Sequence, residues 1–357
     1  MKAVVIKKYT VPAEFEYDGV NYNSPAPVMS YVLNDKIACI FELFLDVNGN
    51  KRIATTRILG NQTYLFKNRA PTGLFETDQY YIITVFEVTP QDNGAMTTVS
   101  YNALIIDKQT FECSEIQLHS GKPSYIIIPV LNDFKNRCVV VPLNETGNFI
   151  YGEIKVTLSE SGYNIVIEPY FEIPAEGMSD IISHAIIYAV KDDYCKKIYL
   201  VYSRLYEEGW TALEHLSIAS IKYDTQEIVK EDGKFTIDGK DISGGDGVVI
   251  GVKEKIDTTM YNDILYMNIN GLKIPCGYTV IPQACYDRYI IRFPPESQTT
   301  KITQKDEVYL IYEVLELVCE ETQNNIWNQI LLLLEILLYV SVICSILKSV
   351  SEIFKQK

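Results

Sequence analysis

The sequence predicts an all-β body followed by one hydrophobic helix, and three observations predict it. Short runs of β-branched and aromatic residues recur from residue 3 to residue 318, split by Asn, Asp and Gly turns. The runs fall into groups of four, at intervals of about 40 to 60 residues. A single stretch, NQILLLLEILLYVSVICSILK at 328–348, breaks this pattern.

Along the chain, AVVIKKYTVPAEFEY (3–17) has the layout of the outer strands of a sheet. PVMSYVLN, KIACIFELFLD, KRIATTRIL and TYLFK (27–67) make a first four-strand unit, and QYYIITVFEVT, VSYNALIID and TFECSEIQL (79–118) belong to a second. The third unit is the clearest. In it PSYIIIPVL, RCVVVPL, FIYGEIKVTL and YNIVIEPYFEI (123–173) are separated by NDFKN, NETGN and SESG, so three hairpins in succession give a four-strand antiparallel meander. HAIIYAVK, KKIYLVYSRLY, EHLSIASIKYD and EIVKE (184–231) repeat the arrangement. A fifth, less regular unit holds GVVIGVKE, NDILYMNI, LKIP and GYTVIP (247–282), and RYIIRF with EVYLIYEVLELV (288–318) looks like an inner half that lacks outer strands.

This repeat, with complementary half-units at 3–17 and 288–318, resembles the β-propeller superfamily over residues 1–320. The resemblance implies about six blades, with the strand at 3–11 pairing antiparallel to that at 307–318, so that a blade shared between the two ends of the chain closes the ring and leaves no long open edge. It is a resemblance of architecture. There are no W-D dipeptides and no paired kelch glycines, and SRLYEEGWT (203–211) departs from the sialidase Asp-box, so no residue's role is carried over. An all-β body followed by a hydrophobic helix is also similar to the double jelly-roll coat proteins of membrane-containing viruses. Those exchange strands between two sheets through long connections, whereas the hairpins at 123–231 are consecutive.

With 32 basic and 46 acidic residues the net charge is −14, which excludes a phosphate-tracking nucleic-acid binder because no cationic excess exists to neutralise a polyanion. Tyrosine is abundant at 26 residues and histidine scarce at 3, a balance similar to that of proteins from heat- and acid-loving archaea and their viruses. Tyrosine buries a ring and keeps a polar tip, and suits strand faces and recognition surfaces alike. The apolar stretch within MKAVVIKKYTVPAEF is too short for a secretory signal. The eight cysteines form no C-x-x-C pair, so neither a zinc ribbon nor a thioredoxin-type motif is expected; Cys276 and Cys285 are close enough for a bridge across a hairpin or for two reduced core thiols.

No spacing points to catalysis. His119, His184 and His215 are scattered, without H-E-x-x-H. D-V-N-G-N at 46–50 places its Gly wrongly for a calcium loop and reads as a hairpin turn. G-G-D-G at 244–247 lacks the Lys-Ser/Thr of a phosphate loop. Asn61 and Asn144 open short sequons. No cofactor, metal or catalytic residue is therefore expected.

Residues 330–347 carry one charge, Glu335, and as a helix would reach about 27 Å against a hydrocarbon core of ~30 Å. The expected membrane anchor at 326–348 comprises Trp327, Ile330, Leu334, Glu335, Leu338, Tyr339 and Lys348, with Trp327 and Lys348 at opposite interfaces and a short basic tail at 349–357. A buried or oligomerising helix, with Glu335 satisfied by a partner, is the alternative. The expectation from sequence is a non-enzymatic binding or structural protein of a virion or cell surface. It would be held to lipid by a single anchor, with a protein partner or its own copies as further contacts. A propeller enzyme of glycosidase type, with paired carboxylates at the mouth of a central channel, and a cytoplasmic scaffold with an oligomerising helix are the other readings.

Overall fold

The computed structural model describes residues 1–90, 96–160, 162–182, 186–203, 215–231, 236–237, 240–241, 248–250, 256–277, 279–295, 300–301, 308–318, 330–338 and 341. Strands β1 (Lys2–Pro12) and β2 (Phe15–Tyr17) come first. Four antiparallel meanders follow. The first is β3 (Val20–Val32), β4 (Ala38–Asp46), β5 (Arg52–Leu59) and β6 (Tyr64–Lys67); the second is β7 (Arg69–Glu76), β8 (Tyr80–Pro90), β9 (Met96–Asp107) and β10 (Cys113–Ser120). The third is β11 (Tyr125–Leu131), β12 (Arg137–Pro142), β13 (Asn148–Ser159) and β14 (Gly162–Pro174). After the short helix α1 (Ser179–Ile182) the fourth is β15 (Ile186–Asp192), β16 (Lys197–Ser203), β17 (His215–Lys222) and β18 (Glu227–Lys230).

The remaining strands are β19 (Thr236–Ile237), β20 (Lys240–Asp241), β21 (Val248–Ile250), β22 (Ile256–Tyr261), β23 (Ile264–Ile269), β24 (Leu272–Cys276), β25 (Gln283–Cys285), β26 (Tyr289–Arg292), β27 (Thr300–Lys301) and β28 (Val308–Val318). A helix, α2, covers 330–338. By compactness the chain divides into Val5–Glu316 and a second unit of Met1–Val4 with Leu317–Lys357.

Turn chemistry explains the hairpins. Asp18 and Gly19 (φ 50° and 71°), Asn262 and Asp263 (49° and 62°) and Asn270 and Gly271 (49° and 80°) each supply two successive positive φ angles, the requirement of a type I′ turn whose twist matches the flanking strands. The D-V-N-G-N stretch is a turn, as expected: the Asp46 carboxylate accepts the Asn50 and Lys51 amides at 2.5 and 2.9 Å.

The first strands of successive meanders lie side by side. β11 and β15 pair in parallel through Val130↔Ala189 and Leu131↔Val190, β3 pairs in parallel with β25, and β25 with β21. β7 packs against β11 and against β3, β4 and β5 of the first meander. Gly73 permits this approach, since a Cβ there would sit 2.9 Å from the Phe75 ring and from Pro129 on β11. The last sheet runs β26, β28, β1, with the Ala13 amide donating to the Val308 carbonyl at 2.9 Å just beyond the end of β1. The expected pairing of the 3–11 and 307–318 strands is therefore present.

Side chains from several of these strands pack together. Tyr31 of β3 and Leu33 just after it, Leu74 of β7, Leu131 of β11, Tyr188 and Val190 of β15, Ala284 of β25 and Tyr286 just after it belong to one buried cluster. Tyr286 donates its hydroxyl to the Leu74 carbonyl at 3.2 Å, so the ring is buried without leaving its polar tip unpaired. Many of the tyrosines are thus core residues. A second cluster joins β11–β13 to β15–β17, with Ile128, Val139, Phe149, Ala189 and Leu200 at its heart.

Several expectations are corrected. β7 supplies a strand of the second meander that the sequence reading did not include. In the fifth unit β22, β23 and β24 form a three-stranded sheet and β21 pairs with β25, whereas the strand expected at 277–282 is absent among the described residues there. β2 pairs with β3 instead of extending the sheet of β1. Cys276 and Cys285 are both buried free thiols, not a disulfide. Strands pair consecutively within the meanders, unlike the strand exchange of a double jelly roll.

The membrane anchor is overturned. Among the described residues no helix is long and apolar enough to cross a membrane. The described residues of helix α2 are 330–338, and 341 is helical as well. Ile330, Leu334, Glu335 and Leu338 lie on this helix and are exposed; Trp327, Tyr339 and Lys348 lie outside the described residues.

Candidate functional site

β13 and β14 are longer than their neighbours. Their pairing runs from Asn148↔Pro174 to Ser159↔Gly162, whereas β12 pairs only with residues 150–153 of β13. The outer half of this hairpin extends as a two-stranded arm beside the turn between β7 and β8. Tyr163 on the arm meets Tyr80 edge-on, with ring centroids 5.5 Å apart. Between them lies a cleft of about 320 Å³, lined by Asp78, Tyr80, Asn136, Glu153 and Lys155 among others.

Glu153 is the central group of the cleft. Asn136 Nδ2 donates to its Oε1 at 2.8 Å, and Arg137 Nη1 and the Tyr170 hydroxyl donate to its Oε2 at 2.5 and 2.9 Å. Burial pulls this carboxyl's pKa up, but the hydrogen bonds from Arg137 and Tyr170 and the charges of Arg137 and Lys155 outweigh it, leaving the pKa below the ordinary glutamate value. Arg137 is itself fixed: its guanidinium lies 4.6 Å from the Tyr170 ring centre and 5.1 Å from that of Phe134. Lys155 is engaged by Glu168 at 2.6 Å. The cleft therefore offers a fixed anion, an amide, a tyrosine and an ammonium group, suited to hydrogen-bonding a polar ligand.

Carboxylates also stand at the ends of the first strands, where sequence reasoning looks for paired acids. They are engaged by cations from neighbouring meanders. Lys135 reaches Asp287 at 2.7 Å and Glu76 at 3.7 Å, Lys108 reaches Glu76 at 2.7 Å, and Lys191 reaches Asp133 at 3.5 Å. Tyr31, Tyr188 and Tyr286 share one buried cluster.

Asn136, Arg137, Glu153 and Tyr170 were not singled out from sequence. The available signal was the length of the 149–158 and 163–173 runs relative to 137–143. His119 sits on β10 with a buried Nδ1 that lacks a hydrogen-bond partner; His184 lies outside the described residues, as does 244–247, and His215 is on β17. Among the described residues no group of three or more His, Cys, Asp or Glu side chains is arranged to hold a metal ion.

No protein-family model matches the chain. No curated protein matches it either. Among solved structures, the GH43_1 enzyme from Xanthomonas citri complexed with xylotriose aligns with 10% identity and a TM-score of 0.29, over 79% of this chain and 94% of that one. A cobalt-substituted ACO from Synechocystis aligns with 10% identity and a TM-score of 0.27, over 77% of this chain and 63% of that one. Similarity at this level assigns neither a fold family nor an activity.

Proposed function

We propose that this protein is a non-catalytic binding protein built as a six-bladed β-propeller, with the cleft at Glu153 as its ligand-contacting surface. The six blades are β3–β6, β7–β10, β11–β14, β15–β18, β21–β24, and a closing blade of β25, β26, β28 and β1. The parallel contacts among β3, β11, β15, β21 and β25, with β7 packed against both β3 and β11, support a ring of first strands. The hydrogen bonding of β28 to β1 supports its closure by strands from the two ends of the sequence.

The observation that carries the binding reading is the state of Glu153, held ionised by Arg137, Tyr170 and Asn136. A group fixed in one protonation state by three donors is a good recognition element and a poor proton shuttle. A panel of chromogenic glycosides and esters tests this: no turnover above the buffer rate is expected. Turnover that Glu153→Gln or another single Asp or Glu substitution abolishes would replace the binding protein with an enzyme.

A further inference from the structure

Strand β13 has two edges with different surroundings. Toward β14 it is paired from Asn148 to Ser159. Toward β12 the pairing stops at Arg137↔Glu153, and the last bond on that side is the Ile154 amide donating to the Asn136 carbonyl at 2.9 Å. Backbone groups alternate sides along a strand, so those of Val156 and Leu158 point the same way as the Ile154 amide, past the end of β12. Among the described residues no strand pairs with them there.

An open edge is ordinarily blunted by a proline, a charge or a covering segment. β13 carries no proline, its Lys155 is tied to Glu168 of β14 at 2.6 Å, and Leu158 stands 69% exposed. This edge forms one wall of the cleft, and the β7–β8 turn at 77–80 forms the other. An extended chain laid about 4.8 Å from β13 takes up the ladder where β12 leaves it.

The side chains and charges of the cleft describe that chain. Val156 stands opposite Ile165 and Leu158 opposite Tyr163, so they share an apolar face of the hairpin, while Lys155 and Thr157 lie on the other face. An added strand must alternate in step, apolar on the first face and polar on the second. Three carboxylates, Asp78, Glu153 and Glu168, stand against two cations, Arg137 and Lys155, which pair with Glu153 and Glu168. Asp78 is exposed on the turn, so the negative charge in excess lies on the wall facing the edge. A basic residue at the polar positions complements it.

We propose that an extended peptide segment of another protein, in which apolar residues alternate with lysine or arginine, adds to the edge of β13 at 156–158 as a further strand. The inference rests on the reading of this cleft as a ligand-contacting surface. A single strand is favoured over a second copy of this chain, whose own arm is two-stranded and would have to enter beside the turn at 77–80.

The test is fluorescence anisotropy of the full chain with a labelled, capped peptide of alternating valine and lysine. Beside it run a valine–glutamate counterpart and two copies N-methylated at every valine or at every lysine. The expected result is saturable binding of the valine–lysine peptide, with affinity at least about tenfold weaker for the valine–glutamate peptide and for one N-methylated copy but not the other, because only one set of amides faces β13. V156P, whose proline removes an amide that points to the open edge, should lose binding with the strand circular-dichroism signal retained. If V156P loses that signal, the N-methylated pair decides. Equal response of the two N-methylated copies overturns the proposal, as does equal binding of the glutamate peptide or no saturable binding at millimolar peptide. A wild-type dimer in sedimentation that V156P converts to single chains would overturn it in favour of a second copy. A failed peptide without turnover in the glycoside and ester panel removes the peptide inference alone, whereas turnover abolished at Glu153 removes the binding reading beneath it.

Discussion

Arg57 donates through Nε to the Glu42 carboxylate at 2.8 Å, with the two side chains only 2% and 0% exposed. The Tyr312 hydroxyl donates to the same carboxylate, and Arg57 Nη2 donates to the Pro12 carbonyl at 3.2 Å. One buried ion pair thus joins β4 and β5 of the first meander to β28 and β1 of the last sheet. Removing one partner of such a pair strands a charge without solvent. Arg57→Met is expected to cost about 3–5 kcal/mol, and Glu42→Met with Arg57→Met to recover most of that loss. Urea unfolding checks both; equal stability of the single variant and wild type would mean the pair does not hold the closure.

Gly73 is expected to tolerate no side chain, because a Cβ would sit 2.9 Å from Phe75 and Pro129 where β7 approaches β11. Gly73→Ala should destabilise by about 1–3 kcal/mol through overpacking. A midpoint unchanged in urea would contradict the close approach of the second and third meanders.

Glu153 has a depressed pKa in the folded chain, so its contribution is fully present above the ordinary glutamate value and is lost as pH falls through the folded one. The melting-temperature difference between wild type and Glu153→Gln should therefore be present at neutral pH and shrink in acid, below about pH 4. A difference independent of pH would mean that Glu153 is not held by charge.

Thiol reactivity should follow burial. Burial pushes the Cys113 and Cys276 thiols up to about 11, and those of Cys39, Cys138 and Cys285 higher still, while Cys195 is exposed. Among the described cysteines, iodoacetamide on the native protein at pH 8 should label Cys195 first. Early labelling of Cys138 would show that the core around β12 opens.

The meanders were legible because each is local. Hairpin turns such as Asn270–Gly271 and apolar runs such as YIIIPVL announce neighbours in sequence. The closing sheet was legible for a related reason: each end of the sequence carries strands that the other completes. β7 was not, because Gly73 meets a close approach of Pro129, more than fifty residues away in sequence. The cleft was not legible either, since it arises between a turn of the second meander and an arm of the third. The run at 328–348 was misread because apolar content reports a need for cover, not what supplies it or how far the helix extends.

The proposed ring requires the first strands to converge on one axis, and Lys135 and Asp287 report on it most directly. They are 152 positions apart in sequence, on the turns after β11 and β25, with Nζ and Oδ2 at 2.7 Å. A carbodiimide, which joins an amine to a carboxylate only when they touch, followed by peptide mass spectrometry, should yield a Lys135–Asp287 amide that disappears in Asp287→Asn. The Lys155–Glu168 pair, at 2.6 Å within one hairpin, serves as the control. Coupling at Lys155–Glu168 with none at Lys135–Asp287 would contradict the ring.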